Sequence, residues 1–326
     1  MTRRKFLGVL GGVAAGWSAS ARAQQAIPVI GYFSGRSSGA EAAVREPFLK
    51  GLEKAGFQLR RNMMIEYHFA EGHADQLLPA IAADLVQRRV SMLVATDRPA
   101  ALAAKASTST IPIVFTTGDD PVRIGLVASL NNPGGNATGI YVFNNNLGPK
   151  RLELIREFLP KPGLVAFVVD PNSGSTLLQI EQMQAAAKAL GQPLLVFHAG
   201  TERELEESFG AMAQQKVSAI IYGATLFFQV IRAHLIELAA RHKIPACYEW
   251  GDAVAAGGLM SYNANRDEIG QLMGRYASQI LNGAKPADLP VVQSSNFVFA
   301  INLKTAKALG LTVPPTLLAR ADEVFE

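Results

Sequence analysis

Hydrogen-bonding side chains recur in this sequence directly after short apolar runs. In the first half of the chain these candidate binding residues are Ser34, Arg36, Ser37, Thr96, Asp97, Thr117 and Asp119. In the second half they are Asp170, Asn172, Ser173, Ser175, Thr225, Glu249 and Trp250. Most of them are uncharged and many carry hydroxyl groups. Several precede a predicted helix, whose free N–H groups suit a carboxylate or another small anion, so the pattern predicts a binding site for a small polar molecule.

The same residues have a second, purely structural interpretation. Ser and Asp directly before a helix are also common N-cap residues, and Asp119 and Asp120 beside Pro121 show the ambiguity. If Asp97 and Asn172 contact a ligand, replacing either with alanine should weaken binding with little change in stability. If they only cap helices, the loss should be about 1 kcal/mol of stability with no change in affinity.

Aromatic residues near these positions offer a surface for a ring, although core packing is an equally good explanation for each. They are Phe227, Phe228, Tyr248, Trp250 and Tyr262. Hydroxyl-rich loops suit a carboxylate and these rings suit an apolar group. The hypothesis from the residues is therefore a carboxylate-bearing metabolite, such as an amino acid or an aromatic acid.

Patterns that would indicate catalysis or a cofactor are largely missing from the sequence. It contains no Gly-x4-Gly-Lys-Ser/Thr phosphate loop, and only Gly35-Arg36-Ser37-Ser38-Gly39 matches the bare Gly-x-Ser-x-Gly pattern. His68 and His73 are the closest histidines but fall on a strand and a loop without a matching acidic partner. Cys247 lies in an apolar run, which indicates core packing. No enzymatic activity, cofactor or metal site is predicted.

Apolar runs alternate with amphipathic stretches, which predicts strands followed by helices. Strands are predicted at 27–33, 63–69, 91–96, 111–117 and 137–143, and then at 164–169, 194–197, 219–222 and 245–250. Continuous apolar strands separated by helices are typical of parallel sheets covered on both faces. Two such series predict an α/β fold of two doubly wound parallel-sheet lobes. Because ligands bind at the carboxyl ends of such strands, the two groups of binding residues should face each other.

Three less regular regions complete the prediction. A short helix is expected around 124–131, and one helix is expected to run through 227–242. In the tail the pattern predicts a strand at 258–262, a helix at 269–280, a Pro-rich connector at 285–290, a strand at 297–301 and a helix at 303–309.

The N-terminus has the order of an export signal. Arg3, Arg4 and Lys5 precede an apolar stretch, and Ala21-Arg22-Ala23 forms a small-x-small cleavage site. The apolar stretch is about 12 residues, too short to span a bilayer that needs about 20. The paired arginines resemble a twin-arginine signal, although a Sec signal remains open. The sequence predicts export to the periplasm with residues 1–23 as the signal peptide.

Charge and cysteine content narrow the class of protein further. Four of the 31 basic residues lie in the signal, so the remaining chain carries 27 basic and 27 acidic residues. This balance gives no reason to expect nucleic acid or a membrane surface as partner. The single cysteine, Cys247, forms no internal disulfide and lies far from the cleavage site, which excludes a lipid anchor there. Roughly 300 residues must be stabilised by their hydrophobic cores alone.

Two long blocks resemble a known family. The first comprises Ile111-Pro112-Ile113-Val114-Phe115, Asp120-Pro121-Val122, Gly125-Leu126-Val127-Ala128-Ser129-Leu130 and Pro133-Gly134-Gly135-Asn136-Ala137-Thr138-Gly139. The second comprises Ile301-Asn302-Leu303-Lys304-Thr305-Ala306-Lys307-Ala308-Leu309-Gly310-Leu311 and Pro314-Pro315-Thr316-Leu317-Leu318-Ala319-Arg320-Ala321-Asp322-Glu323. Together they resemble bacterial ABC-importer substrate-binding proteins similar to the tryptophan-binding protein.

The resemblance implies a type I periplasmic-binding-protein fold with three crossings between the lobes. It assigns 27–139 plus 260–290 to the N-terminal lobe and 140–259 plus 291–326 to the C-terminal lobe. It also implies a monomer that closes by hinge motion around a small molecule and hands it to an ABC permease and ATPase. A ligand-sensing periplasmic receptor of the same fold, or a cleft enzyme, remains the alternative.

Overall fold

The computed structural model describes residues 27–159 and 163–326 and contains two α/β lobes, each built on its own sheet. The predicted export signal at 1–23 lies outside the described residues. The fold class predicted from the alternation of apolar runs and helices is confirmed. Among the described residues no helix is long and apolar enough to cross a membrane.

The first sheet has six parallel strands in the order β11-β5-β4-β3-β1-β2. Its strands are β1 (Val29–Ser34), β2 (Met64–Phe69), β3 (Met92–Ala95), β4 (Ile113–Thr117), β5 (Ala137–Tyr141) and β11 (Val292–Gln293). Four helices pack against it, namely α1 (Ser38–Lys54), α2 (Ala74–Gln87), α3 (Arg98–Ser107) and α10 (Arg266–Leu281).

The second sheet has seven strands in the order β13-β12-β10-β9-β8-β6-β7. They are β6 (Val165–Val169), β7 (Leu194–His198), β8 (Ala219–Tyr222), β9 (Ala246–Tyr248), β10 (Met260–Ala264), β12 (Phe297–Asn302) and β13 (Glu323–Phe325). All pairings are parallel except β10 with β12. The remaining α-helices of the described residues are α4 (Gly148–Phe158), α5 (Thr176–Ala189), α6 (Glu202–Gln214), α7 (Leu226–Val230), α8 (Arg232–His242), α9 (Gly251–Ala255), α11 (Leu303–Ala308) and α12 (Pro315–Leu318).

The apolar strands are buried on both faces because successive side chains point in opposite directions. On β3, Met92 and Val94 belong to the core beneath α1 and α10, whereas Leu93 and Ala95 belong to the core beneath α2 and α3. The second sheet is covered in the same way by two further buried clusters. Each lobe thus has one core on either face of its sheet, and the carboxyl ends of its strands are left for loops.

The chain passes between the lobes three times, near 142–147, at 265 and near 294–296. The lobe boundaries expected for the tail need correction at two places. Residues 260–264 form β10 of the second sheet, because they pair with β9 and β12. Residues 292–293 form the edge strand of the first sheet, because they pair with β5. Between them, α10 packs on α1 of the first lobe.

Two predicted helices differ from the structure. The helix expected around 124–131 is an irregular turn, because Gly125 has a left-handed φ of 75° that ends any helical turn there. The helix expected through 227–242 is split at Ile231 into α7 and α8. Because the helix is broken there, the short α7 lies at the carboxyl end of β8, where it faces the first lobe.

Candidate ligand-binding cleft

A cleft of about 670 Å³ lies between the carboxyl edges of the two sheets, within the range of about 300–1,000 Å³ typical of small-molecule sites. It is lined by loops after β1, β3 and β4 in the first lobe and after β6, β8 and β9 in the second. The sequence-predicted residues that line it are Arg36, Thr96, Asp97, Thr117, Asp119, Asp170, Asn172, Ser173, Ser175, Thr225, Glu249 and Trp250.

Ser34 and Ser37 do not line this cleft, contrary to expectation. Ser34 is fully buried beneath the cleft floor, where its hydroxyl lies 2.8 Å from Asp97 Oδ2 and 3.0 Å from Glu41 Oε2. Ser37 is the N-cap of α1, and its Oγ accepts a hydrogen bond from the Ala40 N–H at 3.3 Å. Both side chains therefore stabilise the loop after β1 from within the first lobe.

Asp97 lines the cleft, but its carboxylate is occupied by the first lobe itself. Oδ1 accepts from the Ala100 N–H at 2.9 Å, which makes Asp97 the N-cap of α3. Oδ2 accepts from the Gly35 N–H at 2.6 Å and from the Ser34 hydroxyl at 2.8 Å. With only 6% of its surface exposed, Asp97 joins the loops after β1 and β3.

Asp119 and Asp170 present carboxylates from opposite lobes. Asp119 lies 3.3 Å from Arg98 Nε and accepts from Asn145 Nδ2 at 2.8 Å. Asp170 accepts from the Thr225 hydroxyl at 3.0 Å and from the Asn172 N–H at 2.9 Å. The cleft therefore combines anionic and cationic groups with neutral hydroxyl and amide groups.

The two lobes meet where Arg98 crosses the cleft. Its guanidinium packs against Gly174 of the second lobe, in the space that a side chain at position 174 would occupy. Gly174 lies just before α5. The side chain of the N-cap residue Ser175 forms no capping hydrogen bond with the N–H groups of the described residues. The Thr176 N–H at this helix start donates to the Ser173 carbonyl at 3.1 Å, and the partial positive charge of a helix N-terminus together with the Arg98 guanidinium favours an anion at this corner.

A second polar connection runs across the floor of the cleft. Arg36 Nε donates to Gln229 Oε1 at 2.8 Å, and Gln229 Nε2 donates to Glu249 Oε2 at 3.0 Å. Burial alone would lower the pKa of Arg36, but the carboxylates of Glu41 and Asp97 outweigh it and hold that pKa above its ordinary value. Burial raises the pKa of Glu249, an effect that Arg151 partly offsets.

Two of the candidate rings, Phe227 and Trp250, line the cleft, and the buried Trp250 also belongs to the first-lobe core cluster that includes Tyr32. Trp250 is held on one face by Arg266, whose guanidinium carbon lies 4.0 Å from the ring centroid. Phe228 and Tyr248 instead belong to the core of the second lobe. Tyr262 stacks on Phe297 at 5.7 Å. The sequence alone did not separate the cleft rings from the core rings.

Several residues that line the cleft were missed by the sequence reasoning, among them Arg98, Asn144, Asn145 and Gln229. Arg98 directly follows the predicted Asp97, and its position after a strand is the signal that would have found it. The same signal applies to Asn144 and Asn145, which directly follow the strand predicted at 137–143. Gln229 gave no such signal, because the sequence pattern placed it inside a longer helix.

The remaining candidates for chemistry are clusters of metal-ligating side chains and the single cysteine. Within residues 27–159 and 163–326, no group of three His, Cys, Asp or Glu side chains is placed to hold a metal ion. Cys247 is fully buried, and burial raises the pKa of its thiol to about 12. The cleft can therefore hold and orient a polar molecule, and its described side chains supply hydrogen bonds and charges from both lobes.

Comparison with known proteins places these features in a family. The family model described as "ABC transporter substrate binding protein" matches residues 34–325. A tyrosine-binding protein from Clostridioides difficile (strain R20291) is 26% identical over 268 residues, which cover 82% of this chain and 76% of that protein.

Two solved structures of similar sequence have the same architecture. An ABC domain from Streptococcus pneumoniae in complex with L-Trp has a TM-score of 0.83 at 25% identity, covering 91% of this chain and 99% of that chain. The ligand-free, open structure of a substrate-binding protein with adhesive properties from Clostridium difficile has a TM-score of 0.70 at 26% identity, covering 92% and 99%. The TM-score is thus higher for the L-Trp complex.

Proposed function

This chain belongs to the ABC transporter substrate-binding protein family, and we propose that it captures an aromatic amino acid in its cleft for an ABC importer. Members of the family bind small molecules outside the cytoplasm for such transporters. The ligand proposal is supported by the charges and rings that line the cleft. The names of the relatives, a tyrosine-binding protein and an L-Trp complex, point to the same class of ligand.

The observation that carries the ligand proposal is the pairing of Arg98 with Asp119 beside the start of α5. An amino acid carries one carboxylate and one ammonium group on the same carbon. Arg98 and the N–H groups at the start of α5 suit the carboxylate, while Asp119 suits the ammonium. Because α5 and Arg98 belong to different lobes, a ligand held by both would favour the closed arrangement.

Phe227 suits the ring of such a ligand, because it lines the cleft and is partly exposed. Trp250 also borders the cleft, but the Arg266 guanidinium covers one face of its ring and only 7% of the residue is exposed. An aromatic pair contributes about 0.5–1.5 kcal/mol beyond its buried area. An aliphatic amino acid lacks that contribution and should bind more weakly.

Calorimetry on the mature protein tests the ligand class. L-Trp, L-Tyr and L-Phe should bind, whereas tryptamine, which lacks the carboxylate, and indole-3-propionate, which lacks the ammonium, should bind at least about tenfold more weakly, or 1.4 kcal/mol. Failure of all three amino acids to bind would discard the proposed class.

Two variants test which residues hold the ligand. Arg98→Gln should reduce the preference for L-Trp over tryptamine, and Asp119→Asn should reduce the preference for L-Trp over indole-3-propionate. Arg123→Gln and Asp120→Asn are matched controls, because both residues are exposed on the neighbouring turn. Unchanged preferences in the two cleft variants would show that other groups hold the carboxylate and the ammonium.

Hinge closure and export complete the proposal. Small-angle scattering should show a smaller radius of gyration with saturating amino acid, because both lobes contribute contacts; an unchanged radius would argue against closure.

We further propose that the protein is exported as a monomer, through the twin-arginine or the Sec route, with a mature N-terminus at Gln24. Mass spectrometry of the periplasmic fraction should find that N-terminus, and an intact Met1 would contradict it.

A further inference from the structure

Helix α7 of the second lobe makes direct apolar contact with the first lobe. Leu226 packs against the first-lobe core that includes Phe33 and Ala74. The contact is so close that a Cβ at Gly35 would lie 2.7 Å from Leu226 Cδ2. At the other end of α7, a Cβ at Gly72 would lie 3.3 Å from Val230 Cγ1. These contacts involve protein groups alone, so they stabilise the present arrangement of the lobes whether or not a ligand is bound.

Between these two contacts, Gln229 makes the polar connection between the lobes. Its Oε1 accepts from Arg36 Nε at 2.8 Å, and its Nε2 donates to Glu249 Oε2 at 3.0 Å. Arg36 is a donor only, and Glu249 Oε2 acts as an acceptor toward this amide. A side-chain amide, with one acceptor and one donor end, satisfies both at once, so Gln229 suits this position better than a hydrophobic residue of similar size.

Both ends of this connection are anchored. On the first-lobe side, Arg36 Nη1 donates to Glu41 Oε2 at 3.1 Å and to the Thr96 carbonyl at 2.9 Å. On the other side, Glu249 Oε1 accepts from Asn144 Nδ2 at 2.8 Å, and Asn144 Oδ1 accepts from the Ala264 N–H at 3.1 Å. Asn144 lies in one crossing between the lobes and Ala264 directly precedes another. The connection thus runs from the cleft floor to the hinge.

We propose that Gln229 is a positioning residue that holds the two lobes together through Arg36, and that α7 thereby sets part of the balance between open and closed forms before any ligand binds. The inference rests on the hinge closure of the proposed function. Its consequence is that changes in α7 alter the apparent affinity for every ligand by the same factor, because the fraction of protein in the binding-competent form scales all affinities equally.

Spin-label distance measurements on the ligand-free protein test this inference directly. Leu77 and Leu177 are exposed in the first turns of α2 and α5, on opposite lobes, and Leu77→Cys with Leu177→Cys provides the two labelling sites. The native Cys247 is buried and should remain unlabelled. The parent protein should show a population at the short, closed distance. Gln229→Leu should lower the closed-to-open ratio at least about tenfold, or 1.4 kcal/mol.

Two further variants make the result interpretable. Leu226→Ala removes the apolar contact and should shift the distances in the same direction, so the inference stays testable if Gln229→Leu fails to fold. Gln214→Leu, an exposed position on α6 of the same lobe, should leave the distances unchanged. Circular dichroism and thermal melting establish that each variant is folded.

Two results would overturn the inference. One is a parent protein that shows only the long distance without ligand, and the other is a folded Gln229→Leu or Leu226→Ala protein with the parent distance distribution. The distance measurements on the parent and on the variants use no ligand. They therefore test the role of Gln229 and Leu226 even if calorimetry shows that no aromatic amino acid binds.

Discussion

Replacing Asp97 with alanine separates its structural role from ligand binding. The buried carboxylate accepts hydrogen bonds from the Ala100 N–H, the Gly35 N–H and the Ser34 hydroxyl. Ser34 keeps Glu41 as a hydrogen-bond partner when the Asp97 carboxylate is removed. The interactions that are lost are therefore the N-cap of α3 and the acceptor of the Gly35 N–H. We therefore expect Asp97→Ala to destabilise the ligand-free protein.

The size of the effect follows from these two losses. Removing an N-cap costs about 1 kcal/mol, and leaving a buried N–H without an acceptor costs about 1–3 kcal/mol. The sum is about 3 kcal/mol, and a lobe-sized domain shifts its melting temperature by about 2–4 °C per kcal/mol. The expected decrease in Tm is thus about 6–12 °C.

Differential scanning calorimetry without ligand provides the assay. Asp120→Ala is the matched control, because the side chain of exposed Asp120 accepts from the neighbouring Val122 and Arg123 N–H groups and its loss should cost about 1 kcal/mol or less. Asp97→Asn keeps one oxygen and should fall between the parent and Asp97→Ala. An unchanged Tm for Asp97→Ala, combined with tenfold weaker ligand binding, would refute the reasoning and restore Asp97 as a ligand contact.

Two further predictions concern the rest of the chain. Asn136 Nδ2 donates to the Thr108 carbonyl at 3.0 Å and the Ile111 carbonyl at 2.9 Å, so Asn136→Asp, which removes both donors, should cost at least about 2 kcal/mol in urea unfolding. Exposed Asn132→Asp is its control, and equal midpoints would contradict this role. Burial raises the pKa of the Cys247 thiol to about 12, so a disulfide reagent at pH 8 should react with it only as the protein unfolds; prompt reaction of the native protein would contradict its burial.

The apolar runs of the sequence determined the lobes and the general position of the cleft. On β3, four consecutive apolar residues from Met92 to Ala95 are buried, because a strand covered by helices on both faces needs apolar side chains on both. A parallel sheet brings the carboxyl ends of its strands to one edge. The residues after those strands could therefore be assigned to one cleft from their position in the chain alone.

Whether a strand-end residue faces the cleft or the protein interior was decided by the tertiary structure. Ser34 and Asp97 both follow strands, yet Ser34 is fully buried and the Asp97 carboxylate is satisfied within the first lobe. Local sequence determines where a strand ends, but the partners of a side chain come from residues far away in the chain. The same reason explains why 260–264 joined the second sheet, since its partner strands begin at 246 and 297.

The sequence also did not predict the hydrogen bonds of Gln229 that connect the two lobes. Arg36 and Gln229 are separated by 193 positions, and Gln229 was placed within a continuous helical pattern. Only the break at Ile231 and the approach of the two lobes bring its amide between Arg36 and Glu249. Short-range periodicity determined the elements of this protein, whereas the contacts that join its lobes depend on long-range packing that no local pattern encodes.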